Sequence, residues 1–464
     1  MKRIATLTLA TLLAGCAVGP DYSRPAIELP ARYAAPDVAP GSAVPLNEQW
    51  WTLYGDATLD GLVGEALARN ADIEIAVARV AEADATLREV GAALWPEIDA
   101  AAAGSRSRVS AATAFPNPAP LVRNDVKASL GTAFEVDFWG RLRRGRESAA
   151  ASALGSRYGR DVVRLSIAGL VAQTYFTLRS LDAQIRLADS TYDARKDSLD
   201  VARSRVRAGL ASDLDVNQAQ IALADASLQA KDLRRQRELA EHLLATIVGR
   251  LDLRVAPAEV ALPGLPPLPA TGLPSELLER RPDVRQAEQQ LAASTALIGV
   301  AKAAYFPTIT LAASYGGESV ALASTINGAA RIWSAGAGAL MPLLDWGRTG
   351  ARVDEATARQ AAALAGYRKS TETAFREVSD ALTELRVYNS VQQEVEERAA
   401  VARDTLKLVN VRYRAGYSAY LEVLDAQRTA NDAELATERN RLALIAASVN
   451  LMKALGGGWP ATSS

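Results

Sequence analysis

One cysteine and one histidine in 464 residues remove most metal and redox chemistry at the outset. A tetrahedral zinc centre takes about four such ligands, and a disulfide framework needs cysteines in pairs. His242 lies in a mixed-charge helical run and reads as a surface or packing residue. Acid–base catalysis has scant material: there is no glycine-rich phosphate loop, no nucleophile elbow and no metal-ligand cluster. No enzyme activity and no bound cofactor are expected. A formal net charge of −1 supplies no basic field for nucleic acid. Aromatic residues are few, at 6%, while 49% of the chain is apolar and alanine is abundant. Small residues let helices approach closely, so this composition favours long packed helices over a bulky globular core.

The one cysteine sits where it has a use. Met1-Lys2-Arg3 is a positive n-region, and Ile4 to Ala14 is an apolar stretch too short to span a bilayer. It ends in Leu13-Ala14-Gly15-Cys16, which looks like a bacterial lipobox. Its chemistry would be S-diacylglycerol on Cys16, cleavage before it, and N-acylation of the new amine, giving several chains for a stable anchor. Ala17 follows Cys16, which favours sorting to the outer membrane. Residues 1–15 are thus expected as a lipoprotein signal peptide and 16–49 as an extended, Pro-rich lipidated tether.

The remainder is written twice. Arg205-Val-Arg-Ala208-Gly209-Leu210 returns as Arg412-Tyr413-Arg-Ala415-Gly416-Tyr417, with Gly416 lying 207 residues after Gly209. Each copy is a helix end, a glycine turn and a new helix. Ser212 followed by Asp215 reads as an N-cap with an acidic N3 residue, while Ser418 stands one place early. Asp345-Trp346-Gly347-Arg348 answers Phe138-Trp139-Gly140-Arg141 at the same offset of 207. Tyr305-Phe306-Pro307 answers Leu94-Trp95-Pro96 at an offset of 211. The expected halves are 50–255 and 275–459, joined by a Pro-rich linker at 256–274 and followed by a tail at 460–464.

Within each half the period changes. Val126, Ala128, Leu130, Thr132, Phe134, Val136 and Phe138 alternate with polar and small residues, as do Ile309, Leu311, Ala313 and Tyr315. Strands are expected at about 97–108, 126–138, 308–317 and 331–343. Helices are expected at about 141–208, 214–248, 349–415 and 420–455. The first of these is about 68 residues, or about 100 Å at about 1.5 Å per residue. Leu178, Leu181, Ile185, Ala188, Tyr192, Leu199, Ala202 and Val206 give it a coiled-coil seam. The fold class is therefore mainly α, with a β portion. Lipid-facing strands require a closed barrel, and barrels begin at about eight strands. Four strands per chain imply self-association if they cross a membrane; otherwise they form a soluble hairpin pair packed on helices.

Trp50-Trp51-Thr-Leu-Tyr54-Gly-Asp56, Asp137-Phe-Trp139-Gly140-Arg141, Leu421-Glu422-Val-Leu-Asp425-Ala-Gln427-Arg428 and Ala454-Leu-Gly-Gly-Gly-Trp459 resemble the outer-membrane factor (TolC-like) family, in its lipoprotein efflux branch. The resemblance covers essentially the whole mature chain. It implies a homotrimer whose twelve strands form one outer-membrane barrel, continued by a periplasmic barrel of long helices. It also implies a passive exit duct partnered by a periplasmic adaptor and an inner-membrane pump, with no nucleic acid. The glycine turns would be the periplasmic tips, and Ala208, Gly209, Leu210, Ala415, Gly416 and Tyr417 the adaptor contacts. Leu421 would form an apolar ring, Asp425 and Glu422 acidic rings, and Arg428 a counter-charge, together the periplasmic gate. Asp215 and Tyr413 would tie neighbouring hairpins in the closed state. Without the resemblance, these charges read as a solvated helix face. An adaptor would show one coiled-coil hairpin between soluble β domains, and here the hairpin is doubled.

Overall fold

Residues 17–33, 47–112, 121–258, 262–269 and 274–458 are described by a computed structural model. The signal peptide, Cys16, Trp459 and the 460–464 tail lie outside them, as do parts of the tether and the linker. Helices α1 (Ala57–Arg69) and α2 (Ala71–Ala92) precede strands β1 (Glu97–Arg108) and β2 (Val122–Val136). Helices α3 (Arg141–Arg207) and α4 (Asp213–Val248) follow. After a one-turn helix at Leu277–Arg280 come α5 (Pro282–Ala303), β3 (Thr308–Ser319), β4 (Arg331–Leu340), α6 (Arg348–Arg414) and α7 (Tyr420–Ala454). Helix, two strands, a 67-residue helix and a helix of 36 or 35 residues thus occur twice in order. No described helix is long and apolar enough to cross a membrane.

Contacts divide the chain into two units. The first comprises Met1–Ala26, Arg79–Arg157 and Gln286–Tyr367. It holds one antiparallel sheet of order β1-β2-β3-β4, so β1 and β4 are its edges. Pairing of Val136 with Ile309, Phe134 with Leu311, Thr132 with Ala313 and Leu130 with Tyr315 puts both apolar alternations on one face. Ile98 and Ala100 of β1 join that face opposite Thr132 and Leu130, and Trp333 of β4 joins it opposite Tyr315. Glycine, alanine, serine and charge occupy the other face, with Lys127 Nζ 3.7 Å from Glu318 and the Ser314 and Ser334 hydroxyls 2.8 Å apart.

Strand ends have local causes. β2 stops at Val136 because the Asp137 carboxylate caps α3, accepting from Leu142 N (3.1 Å) and Arg143 N (2.9 Å). β4 stops at Leu340, three residues short of the expected run, because Pro342 offers no ladder donor. The segment from Ala17 to Ala26 forms no helix or strand, and it is docked. Arg24 donates to both oxygens of Glu288 (2.7 and 2.8 Å), which is 4% exposed, and Arg144 donates to Asp21 (2.5 Å).

The second unit comprises Ile27–Ala78, Tyr158–Arg285 and Arg368–Ser464. Its main core gathers Trp50, Trp51, Tyr54, Leu59, Val63, Tyr175, Phe176, Leu244 and Met452. Two hydroxyls inside this core are paired: Tyr54 Oη lies 2.6 Å from Ser448 Oγ, and Tyr175 donates to Asp56 at 2.5 Å, while Trp50 Nε1 is buried without a hydrogen-bond partner. Asp56 also caps α1 through Thr58 N and Leu59 N. Beyond the core, the helices meet along small-residue seams. Ala399 and Ala402 of α6 face Ala430 and Ala433 of α7, and Leu181 and Ala188 of α3 face Ala230 and Leu233 of α4.

Candidate functional site

Both glycine turns close their helices in the same way. Gly209 has φ +70° and Gly416 φ +86°, a conformation that side chains resist. Gly209 N bonds to Val206 O (2.9 Å) and Leu210 N to Arg205 O (2.8 Å). Gly416 N bonds to Tyr413 O (3.0 Å) and Tyr417 N to Arg412 O (2.9 Å). These paired bonds form a Schellman motif at each turn. The residue after the glycine in that motif commonly packs back on its own helix. Here Leu210 is 68% and Tyr417 79% exposed, so both turns hold an apolar side chain out to solvent. Ala208 and Ala415 are exposed beside them.

The restart of each helix differs from the capping expected. Ser212 has the extended backbone of an N-cap, yet its hydroxyl makes no cap hydrogen bond. In the second turn Ala419 is the N-cap, and Ser418 Oγ donates instead to Glu422 Oε2 at 2.9 Å.

Below the turns the two hairpins pack together. Leu199, Ala202, Ala219, Tyr413, Tyr420 and Val423 form one buried cluster, with the Tyr413 and Tyr420 rings 5.7 Å apart. Arg205 lies over the Tyr413 ring at 4.8 Å and donates to Tyr413 O at 2.7 Å. Gln427 donates to Ser198 Oγ (2.9 Å), and Thr191 donates to Asn431 Oδ1 (3.2 Å). These three contacts tie one hairpin to the other within the chain. No hydrogen bond joins Asp215 to Tyr413, whose hydroxyl is buried without a hydrogen-bond partner. Burial pushes the Tyr413 pKa up, with the Arg205 charge opposing and the Asp215 charge adding to it; burial, with the titrating Tyr413 phenol beside it, pushes Tyr420 to about 12.

One further polar residue here was not among those singled out from the sequence. Arg195 is 8% exposed and donates to Ala222 O at 2.6 Å. Burial holds its pKa below the usual guanidinium range, while Asp225 and Asp432 counter that effect. Arg195 falls at a three-four seam position between Tyr192 and Leu199, the one partial signal in the sequence, but its charge runs against the apolar pattern of that seam.

Leu421, Asp425 and Arg428 form a stripe on α7, on the side away from the buried Val423, Ala426, Gln427 and Ala430. Leu421 is 62% exposed, and Arg428 Nη2 lies 3.2 Å from Asp425 Oδ1 with both side chains in solvent. Glu422 and Asp425 border a groove of about 720 Å³ between α6 and α7. An exposed leucine beside an exposed ion pair does nothing for packing within one chain.

A sheet with one apolar face, paired very long helices and solvent-held turns define the class of outer-membrane channels with a helical barrel. The sequence profile of the outer membrane efflux protein family matches residues 62–250 and 273–457. The chain belongs to that family. It is 35% identical to the pyoverdine export outer membrane protein OpmQ of Pseudomonas aeruginosa, over 99% of this chain and 97% of that one. The outer membrane protein OprJ of the same species is 32% identical over 98% of this chain and 96% of its own length. Among solved structures, the outer-membrane channel OprN superposes with a TM-score of 0.90 at 30% identity, over 96% of this chain and 100% of that one. The open-state MtrE channel of Neisseria gonorrhoeae gives 0.83 at 28%, over 96% and 98%. The protein is thus an outer-membrane efflux protein.

Proposed function

We propose that the chain is the exit duct of a tripartite efflux system, a lipid-anchored homotrimer passively releasing small molecules to the exterior. Each half is a copy of one ancestral unit. Three chains supply twelve strands to one barrel, and their paired helices continue it into the periplasm. Cys16 carries the acyl anchor. A periplasmic adaptor grips Ala208, Gly209 and Leu210, and likewise Ala415, Gly416 and Tyr417. An inner-membrane pump loads the duct. The names of the relatives speak for pyoverdine and toluene as cargo of those proteins, and a small organic molecule fits this one.

The observation that supports this reading best is the Leu421–Asp425–Arg428 stripe. It wastes an exposed leucine in one chain, yet around a threefold axis it becomes an apolar ring over a ring of ion pairs. Carboxylates converging on a narrow axis repel one another and need counter-charge or a bound cation. Arg428 supplies the counter-charge, and Glu422 adds to the acidic lining. The adaptor opens this gate by untwisting the hairpins, which Asp215 and Tyr413 tie to their neighbours in the closed state.

Planar-bilayer conductance tests it, with wild type beside Asp425→Ala/Arg428→Ala. An exposed pair adds little to stability, so the double variant folds and the readout is the gate. Small, cation-preferring steps that enlarge in the variant are expected. Equal steps in both proteins would falsify the gate assignment, and no conductance in either would return the strands to a soluble role.

A further inference from the structure

The apolar face of the sheet is not free of charge, and its charges are of one sign. Register places Arg106 and Arg108 of β1 and Arg331 of β4 on the face of Leu130 and Tyr315. Every carboxylate of the four strands, Glu97, Asp99, Asp125, Glu135 and Glu318, falls on the other face. Arg106 lies nine residues beyond Glu97, where β1 begins, and Arg331 nine before Leu340, where β4 ends. Both therefore stand at one height above the sheet ends that adjoin the helices. Nine residues at about 3.3 Å each, tilted by about 40°, rise about 23 Å. That is close to the apolar band of a membrane barrel, about 25 Å tall. Tyr315 opposes Trp333 two residues nearer the helices, where such barrels carry an aromatic girdle.

At this height the β3–β4 connection folds back onto the same face. Ser324 and Thr325 both donate their hydroxyls to Ala321 O (2.9 and 3.2 Å), and Thr325 is buried against Gly317. A Cβ on Gly317 would run into Thr325 O, so the close approach needs glycine. The connection still holds aliphatic side chains outward, with Leu322 75% and Ile326 95% exposed. Between it and the sheet lies a slot of about 530 Å³. Ala102, Ala128 and Tyr315 line it from the sheet and Ile326 from the connection, while Asn327 and Arg331 supply charge and polarity. Among the described residues no carboxylate pairs with Arg331, and Glu318 turns to Lys127 on the other face. An arginine on a lipid-facing strand is costly at mid-membrane and nearly free at the headgroups, where its planar fork matches phosphate.

We propose that this slot binds a phosphorylated, multiply acylated lipid of the outer leaflet. An acyl chain lies on the alanine floor beneath Ile326, and a phosphate meets Arg331 and Asn327. Arg106 meets phosphate at the same depth on β1. The proposal rests on the outer-membrane reading of the strands and adds to it a lipid site and its depth.

Native mass spectrometry of the full-length protein, purified in detergent and mixed with diphosphoryl lipid A, tests the site. Wild type should retain one lipid per chain. Arg331→Gln should weaken retention about tenfold or more, as loss of a charge-assisted pair does. Ala128→Phe fills the floor and Gly317→Val lifts the connection, so both should also lose lipid with the arginine intact. Lys127→Gln, on the other face, should retain it like wild type. The oligomer mass in the same spectra shows that each variant has assembled. Excess inorganic phosphate should leave the lipid bound; displacement by phosphate with normal binding to Ala128→Phe would overturn the acyl site. Equal retention of an uncharged diacylglycerol would overturn the role of Arg331. Lipid A held equally by wild type, Arg331→Gln and Ala128→Phe overturns the site, as does an assembled, membrane-inserted wild type that retains none. Recovery of the chain in solution without detergent overturns the outer-membrane reading itself.

Discussion

Arg205 carries two bonds that need a planar guanidinium, the stack over Tyr413 and the donation to Tyr413 O. A lysine ammonium can replace the charge but not the stack with the fixed fork. Arg205→Lys should loosen the hairpin ends by about 1 kcal/mol, and Arg205→Ala by more. Hydrogen exchange over 199–223 and 409–424 reads the effect directly, because opening there is local. Slowed or unchanged exchange in both variants would remove Arg205 from the tie. At this scale the sequence was partly opaque. The family resemblance singled out Tyr413 and Asp215, yet the contacts made within the chain run through Arg205 on Tyr413, Ser198 with Gln427, and Thr191 with Asn431. Side-chain partners on helices hundreds of residues apart leave no trace in local spacing. Arg195 was hidden for another reason: a charged residue at a seam position contradicts the apolar pattern that defines the seam. Its burial depends on Ala222 O and two carboxylates that only the packed helices bring near.

Elements were far more legible, because their causes are local. The run expected at 97–108 coincides with β1, and the long helices end within a residue or so of the positions that the glycine turns marked. Departures come from chemistry that alternation ignores: Pro342 cuts β4 short and the Asp137 cap ends β2. Alanine abundance pointed to close helix contact, and the α6–α7 seam is built from four alanines, with Ala433 at 0% exposure. Such a seam has no room for a larger side chain. Ala433→Leu should cost about 1–3 kcal/mol through overpacking, with faster exchange along α6 and α7. Ala400→Leu, on the exposed side of the neighbouring turn, supplies the control and should leave exchange unchanged. If both variants behave alike, the seam is not close-packed.

At the scale of the whole molecule, the sheet has two faces and two open edges, and each asks for a different solvent. Alternation was readable in one dimension, but which alternations share a face was not. That required the β2–β3 register, which sets Thr132 against Ala313 and Ala133 against Ala312. Adjacent alanines on β3 thus belong to opposite environments. If the proposed barrel forms, Ala313 faces hydrocarbon with Leu130, Leu311 and Tyr315, and Ala312 faces the water-filled interior. A lipid-facing arginine near the bilayer midplane costs about 2–4 kcal/mol per chain, whereas a lumen-facing one changes selectivity with little loss of stability. Ala313→Arg should therefore reduce the heat-resistant oligomer recovered from outer membranes several-fold. Ala312→Arg should assemble at near wild-type yield and shift the conductance away from cations. Equal tolerance of both substitutions would mean that neither face meets lipid. The reverse order would invert the sheet, placing Leu130, Tyr315 and Trp333 toward the lumen.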